Sequence, residues 1–574
     1  MRRLLILLLV LTVLGALVAA LGFVVSWTGG GGAFSGTRVL TLDLDGDLAD
    51  YHAGSPLDLF AEHPSLDLFR IWRGLEAARH DPSVRALAVR IDDVGFGLAK
   101  AQEVRRQLAA TAAAGKQVVC YFDTAGEGSN GTLEYYLATA CPEISLSPAG
   151  EVNLLGLYAD PPFLRGTLDK LKITPDFIAE GRYKSAPEMF TSEGHSPAAR
   201  EELDAVLDSD FEQILGGIAK SRHLGEAEVR ALVDLAPLSA NAARVARLVD
   251  RIEYPDELHD RLEAGAGKSA RWESVESYAG EHARSGSGRS RIALVFADGT
   301  ILRGDGGVDG ITGEHFIGSR DLGDTLAALT DDEGVAAVVL RLDSPGGSAV
   351  ASDLLLRRVD LLRRKKPVVV SMSDLAASGG YYLAAKASRI VAEAGTLTGS
   401  IGVFSGKFAL GDFERQLLGV THDPLTRGAN AGIYSSLRPF DDAERARLGA
   451  RLDETYARFV DLVASGRSLP RPVVERIAQG RVWTGVDALH RHLVDIQGGL
   501  GEAVAEARRL AGLGADEGTI EVYPRSEGFW DWLAARQRTP FARVLAPLVE
   551  LVRARRVPGT LELPPSLARL AHPF

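Results

Sequence analysis

Apolar positions along this chain come in three patterns. Residues 4–25 are an unbroken apolar run preceded by Arg2 and Arg3. Elsewhere, short β-branched stretches such as Ile292-Ala293-Leu294-Val295, Val338-Val339-Leu340-Arg341-Leu342 and Val368-Val369-Val370 read as strands. Between the last two, residues 348–364 read as a helix. Strand–helix–strand alternation at this spacing implies βαβ units and parallel sheet, so the predicted fold class is α/β.

The pattern then repeats. Tyr135-Tyr136-Leu137-Ala138 returns as Tyr381-Tyr382-Leu383-Ala384, and Gly156 falls on Gly402 at the same offset. Ala88-Val89-Arg90-Ile91-Asp92 returns as Val339-Leu340-Arg341-Leu342-Asp343, and Leu248-Val249-Asp250 as Leu493-Val494-Asp495. A domain-sized unit is therefore present twice, over 36–260 and 291–515. The Gly/Ser-rich stretch around 285–288 makes 261–290 the expected linker. Residues 516–574 are left as an extension with no counterpart in the first copy.

The apolar run at the start has its own meaning. At 1.5 Å per residue it spans roughly 33 Å as a helix, enough for a bilayer core. It is longer than the apolar region of a cleavable signal peptide. Residues 1–28 are expected to be an uncleaved transmembrane anchor, with Arg2 and Arg3 on the cytoplasmic side and the rest of the chain outside. A chain of 574 residues exceeds one core. Its net charge of −12 argues against nucleic-acid binding. Cys120 and Cys141 sit in no metal-binding pattern, and two buried thiols are expected, with one disulfide as the alternative outside the cytosol.

Candidate chemistry gathers in the second copy. Asp343-Ser344-Pro345-Gly346-Gly347 follows a predicted strand and precedes a helix, where glycines leave N–H groups open to an oxyanion. An ordinary strand-to-helix turn is the other reading. Ala377-Ser378-Gly379-Gly380 lies at the next strand end, with Ser378 where a helix should begin. That serine is either an N-cap or a nucleophile at the positive end of a helix dipole. A nucleophilic serine needs a base, and none of the 12 histidines stands in a repeat-matched motif with an acidic partner. Lys184, in Gly181-Arg182-Tyr183-Lys184-Ser185-Ala186, is the remaining candidate, provided burial lowers its pKa. Each copy lacks what the other has. The first carries Thr132-Leu133-Glu134 where the second has Ser378-Gly379-Gly380, and the second carries Gly428-Ala429-Asn430-Ala431 where the first has Gly181 to Lys184.

At these residues the chain resembles the long, duplicated signal peptide peptidases of the S49 serine peptidase family. The specific points are Ser344-Pro345-Gly346-Gly347, Ala377-Ser378-Gly379-Gly380-Tyr381-Tyr382, Leu397-Thr398-Gly399-Ser400-Ile401-Gly402, Tyr183-Lys184-Ser185 and Gly480-Arg481-Val482-Trp483-Thr484-Gly485. The resemblance implies Ser378 as nucleophile, Lys184 as general base, Ser400 orienting the lysine, and Gly379, Gly346 and Gly347 around the oxyanion. It implies tandem ClpP/crotonase-like spiral domains, no metal or organic cofactor, and a ring-shaped homo-oligomer, a tetramer being favoured. Its substrates would be remnant signal peptides at the bacterial inner membrane, cleaved on the extracytoplasmic side. Leu375 departs from the small or β-branched residues usual there. An acyl-CoA enzyme of the same fold and a non-catalytic peptide-binding scaffold are the competing classes.

Overall fold

A computed structural model describes residues 36–53, 66–267, 270–282, 287–309 and 312–524. Within them the apolar runs form parallel strands covered on both faces, which is why they read as continuous rather than alternating. The first repeat contains β1 (Arg38–Gly46), α1 (Leu68–His80), β2 (Val84–Val94), α2 (Leu98–Ala113), β3 (Gln117–Phe122), α3 (Thr132–Ala138) and β4 (Glu143–Leu146). There follow β5 (Thr174–Glu180), α4 (Pro197–Arg222), β6 (Arg251–Ile252) and β7 (Arg271–Ser274). Its six-stranded sheet has the order β6-β4-β3-β2-β1-β7, with every pairing parallel.

The second repeat runs through β8 (Ser287–Asp298), β9 (Val335–Ser344), α5 (Ala349–Arg363), β10 (Val368–Ala377), α6 (Gly379–Ala384), β11 (Arg389–Ala392) and β12 (Leu397–Gly399). It continues with β13 (Val403–Ala409), α7 (Asp442–Arg467), β14 (Val482–Thr484), β15 (Ile496–Gln497), α8 (Leu500–Leu510) and β16 (Glu517–Tyr523). Its eight-stranded sheet has the order β14-β12-β10-β9-β8-β16, with β11 against β10 and β15 against β11. Only the β12–β14 pairing is antiparallel.

Side-chain contacts repeat with the topology. Arg38 reaches Asp81 and Glu273, both at 3.2 Å, and Arg291 reaches Asp332 and Glu521, both at 2.6 Å. The Tyr135 hydroxyl donates to the Leu248 carbonyl at 2.8 Å, and the Tyr381 hydroxyl to that of Leu493 at 3.0 Å. Helices α4 and α7 are each 26 residues long, N-capped by Ser196 and Asp441, and ended by left-handed His223 and Ser468.

These contacts correct the expected boundaries. Residues 261–290 are not simply a linker, because β7 lies there and pairs with β1, placing Trp272 opposite Val39. The extension begins with β16, which pairs with β8 and places Ile520 opposite Ile292. The two terminal strands are structural counterparts whose sequences share too little to reveal it. The cysteines differ from expectation too. Cys120, in β3, is disulfide-bonded to Cys141, just beyond α3, with Cα atoms 5.7 Å apart. The crossover helix returns the chain beside the strand it left, and this brings the two thiols together. Among the described residues no helix is long and apolar enough to cross a membrane. The expected anchor at 1–28 lies outside the described residues.

The repeats are joined by more than the chain. Strand β5 pairs antiparallel with β13, from Thr174 opposite Ala409 to Glu180 opposite Val403. Arg341, 1% exposed, crosses to Asp50 at 2.8 Å and Glu103 at 3.0 Å and also donates to the Ser371 and Ser373 hydroxyls. Lys100 lies 3.0 Å from Asp343, and Asp374 accepts the Gly97 and Lys100 N–H groups at the start of α2. Such buried pairs are costly to break, since the surviving charge is left unsolvated.

Candidate active site

Strand β10 ends at Ala377, and the chain turns at Ser378 into α6 through a left-handed φ of 52°. A non-glycine residue held there stores of order 1–3 kcal/mol of strain. The turn is anchored on both sides: the Ser378 N–H donates to the Gly399 carbonyl at 2.9 Å, and its carbonyl accepts from Tyr382 at 2.8 Å. Ser378 makes no N-cap hydrogen bond. Its side chain is half-buried at the N-terminus of α6.

Directly beneath runs the turn after β9. A Cβ on Gly346 would fall 2.6 Å from the Gly379 nitrogen and 2.9 Å from the Ser378 Cβ, so only glycine permits this approach. The Gly346 N–H is already donated to the Ser344 hydroxyl at 3.2 Å, and that hydroxyl donates to the Gly299 carbonyl. Gly346 therefore supplies clearance, with its own N–H taken by Ser344. Gly347 and Gly379 differ. Neither N–H donates to an acceptor among the described residues, and a Cβ on Gly379 would sit only 3.0 Å from the Gly347 nitrogen. Two such N–H groups thus lie close together at the turn that carries Ser378.

Lys184 arrives from the other repeat. Because β5 pairs with β13, the chain leaving Glu180 runs beside the Ser400–Val403 segment. Tyr183 donates its N–H to the Gln479 carbonyl at 2.7 Å, and Gly480 packs so closely that a Cβ there would lie 2.7 Å from the Lys184 nitrogen. The lysine, 9% exposed, places Nζ 3.2 Å from Ser378 Oγ, 2.9 Å from Ser400 Oγ and 3.4 Å from the Ser400 carbonyl. Ser400 has a left-handed φ of 47° and donates its N–H to the Arg481 carbonyl at 2.8 Å. The site residues expected from both copies meet here. Of the histidines, His315 pairs with Asp298 at 3.1 Å, and His422 with Glu414.

A cavity of about 440 Å³ opens between the repeats around Lys100, Asp343 and Asp374, and Pro345 and Leu375 form part of its wall; neither Ser378 nor Lys184 lines it. Leu375 thus lines a pocket. Phe190 stacks on Phe177 of β5, Phe408 of β13 meets both rings edge-on, and the Phe404 ring lies 6.0 Å from Lys184 Nζ. Sequence reasoning missed one buried carboxylate here. Glu202, on α4, accepts the Val482 N–H, and burial pushes its pKa up to about 7 despite nearby Lys184 and Arg481. The signal available was position alone, an acidic residue on the helix that follows Lys184.

The family model for peptidase family S49 matches residues 110–269 and 360–514, once in each repeat. The chain belongs to peptidase family S49. This S49 chain is 30% identical over 530 residues to Protease 4 of Haemophilus influenzae, covering 86% of this chain and 84% of that protein. It is 32% identical over 488 residues to the chloroplastic serine protease SPPA of Arabidopsis thaliana, covering 83% and 69% respectively. Protease 4 of Salmonella typhi is 31% identical over 464 residues, covering 78% of this chain and 72% of that one. Among solved structures, a 1510-N membrane-bound stomatin-specific protease covers 42% of this chain at 15% identity, with a TM-score of 0.27. The S49 chain is a serine peptidase.

Proposed function

We propose that this S49 peptidase hydrolyses peptide bonds with a Ser378–Lys184 dyad assembled from its two repeats. The observation that carries this reading is the near-buried Lys184 Nζ within hydrogen-bond reach of both Ser378 Oγ and Ser400 Oγ. In the acylation step neutral Lys184 takes the Ser378 proton as Oγ attacks the peptide carbonyl. The Gly379 and Gly347 N–H groups bind the oxyanion, strengthened by the N-terminus of α6. Protonated Lys184 then gives its proton to the leaving amine, and water attacking the acyl-enzyme returns Ser378. Ser400 holds the lysine at the angle the transfer needs.

The substrates in this proposal are apolar peptides, foremost remnant signal peptides, taken at the membrane by a chain anchored through residues 1–28. The cluster of Phe177, Phe190 and Phe408 supports an apolar peptide-binding wall. The Cys120–Cys141 bond supports an oxidising, extracytoplasmic compartment. A ring-shaped homo-oligomer of ClpP/crotonase-like repeats, a tetramer foremost, completes the proposal. It is tested by hydrolysis of apolar peptides by the full chain in detergent, with Ser378→Ala and Lys184→Ala in parallel, and by labelling with a serine-directed acylating probe. Turnover and labelling of Ser378 in the wild type, absent from the first variant, are expected. Wild-type-like turnover by either variant refutes the dyad.

A further inference from the structure

The base does not hold its place unaided. The peptide unit between Arg481 and Val482 is gripped at both ends: its carbonyl accepts the Ser400 N–H, and its N–H is donated to the Glu202 carboxylate. Ser400 in turn accepts from Lys184 through its hydroxyl and its carbonyl. The same carboxylate has the Ser185 hydroxyl as a hydrogen-bond partner and feels the charge of Lys184. Glu202 thus touches the residue following the lysine on one side and, through one peptide unit, the serine that holds the ammonium on the other. It is 8% exposed and sits six residues into the 26-residue α4, whose Ser196 cap fixes its first turn.

We propose that Glu202 is a positioning residue for the dyad, tying Lys184 to Ser400 and setting the pH at which the lysine becomes a base. This inference rests on the Ser378–Lys184 reading. Every charged group facing the carboxylate bears on it. Lys184 approaches from the loop after β5, and Arg481 from the segment before β14. The Arg481 side chain is itself held by Glu201 at 3.0 Å and lies over the Tyr183 and Trp483 rings. A negative charge beside an ammonium stabilises the protonated form, so an ionised Glu202 raises the pH needed to free Lys184. Burial opposes that ionisation and pushes the carboxyl up to about 7, so near neutrality Glu202 gains or loses its charge beside Lys184.

The test is the pH profile of kcat/KM for peptide hydrolysis by the full chain, wild type against Glu202→Gln. Glutamine keeps an acceptor for the Val482 N–H and removes the charge. The rising limb is expected to move to lower pH by about one unit, with KM little changed. Glu202→Ala, which leaves the Val482 N–H unpaired, is expected to lower kcat at every pH, and Glu202→Gln to recover most of that loss. A Glu202→Gln profile that overlays the wild type overturns the inference. Loss of turnover in Lys184→Ala alongside that overlay leaves the dyad standing; survival of turnover in Lys184→Ala removes both.

Discussion

Ser378 and Thr132 occupy the same place in the two repeats, three residues before a Tyr-Tyr pair at the start of a crossover helix, and their surroundings have diverged. Around Ser378 the backbone is strained and open, with left-handed φ at Ser378 and Ser400 and glycines on either side. Around Thr132 it is relaxed and filled. Neither Thr132 nor Leu154, the counterpart of Ser400, has positive φ. The Thr132 hydroxyl, fully buried, accepts the Gly156 N–H at 2.9 Å, and Glu134 occupies the position of Gly380. The lesson is that strain belongs to the chemistry rather than to the fold. One scaffold supports both turns, and only the copy with the proposed nucleophile keeps the costly geometry.

The largest expected contrast is catalytic. Ser378→Ala and Lys184→Ala should each lower kcat by about a thousandfold or more, and Thr132→Ala should leave kcat unchanged, as measured by steady-state peptide hydrolysis. Next comes the arginine that both repeats place in β2 and β9. Arg341 is buried between the repeats, and Arg341→Ala should cost about 3–5 kcal/mol in denaturant unfolding. Its counterpart Arg90 is half exposed, paired with Asp92 and Asp123, and Arg90→Ala should cost about 0.5 kcal/mol or less.

A pH-dependent difference follows from Glu134. Burial lifts its pKa to about 7, above an unfolded value of about 4.5, and one carboxylate oxygen has no hydrogen-bond partner. The folded state then keeps a proton that the unfolded chain releases. The stabilisation is complete below about pH 4.5 and is lost as pH rises through about 7. Glu134→Gln should therefore melt like the wild type at pH 4 and at a higher temperature at pH 8. The smallest contrast is conformational: Ser378→Gly should raise stability by about 1 kcal/mol by relieving the left-handed φ, and Thr132→Gly should lower it. Equal shifts in both would show that the two turns carry the same strain.

Much of this was legible from pattern. Continuous apolar runs gave the parallel strands, and the repeated Tyr-Tyr-Leu-Ala and Arg-x-Asp segments marked equivalent positions on one scaffold. Ser378 and Lys184 stood out because each lies where the other copy is altered. Contacts made through the backbone left no such trace. The Arg481–Val482 peptide acts through its carbonyl and N–H, which any residue supplies, and Gly346 was indistinguishable from Gly347 until the Ser344 hydroxyl was seen to take its N–H. Strands β7 and β16 pair through backbone groups, so Trp272 and Ile520 could hold equivalent places without resembling each other. The disulfide was hidden for another reason. In the second repeat the positions of Cys120 and Cys141 are held by Val370 and Ala387, both in the core, so burial was readable and bonding was not. Closing that loop contributes about 3 kcal/mol.

The pairing of β5 with β13 changes how active sites are counted. Two repeats that each carried a full dyad would yield two reaction centres per chain. Here the first repeat lends its lysine loop to the second, and the second has no such lysine to return, only Gly428 to Ala431 in an exposed loop. With the proposed dyad the polypeptide is in effect a heterodimer written as one gene product, with one centre for two repeats. On that reading neither half can be replaced by the other, and a lesion on either side of the paired strands silences the same centre.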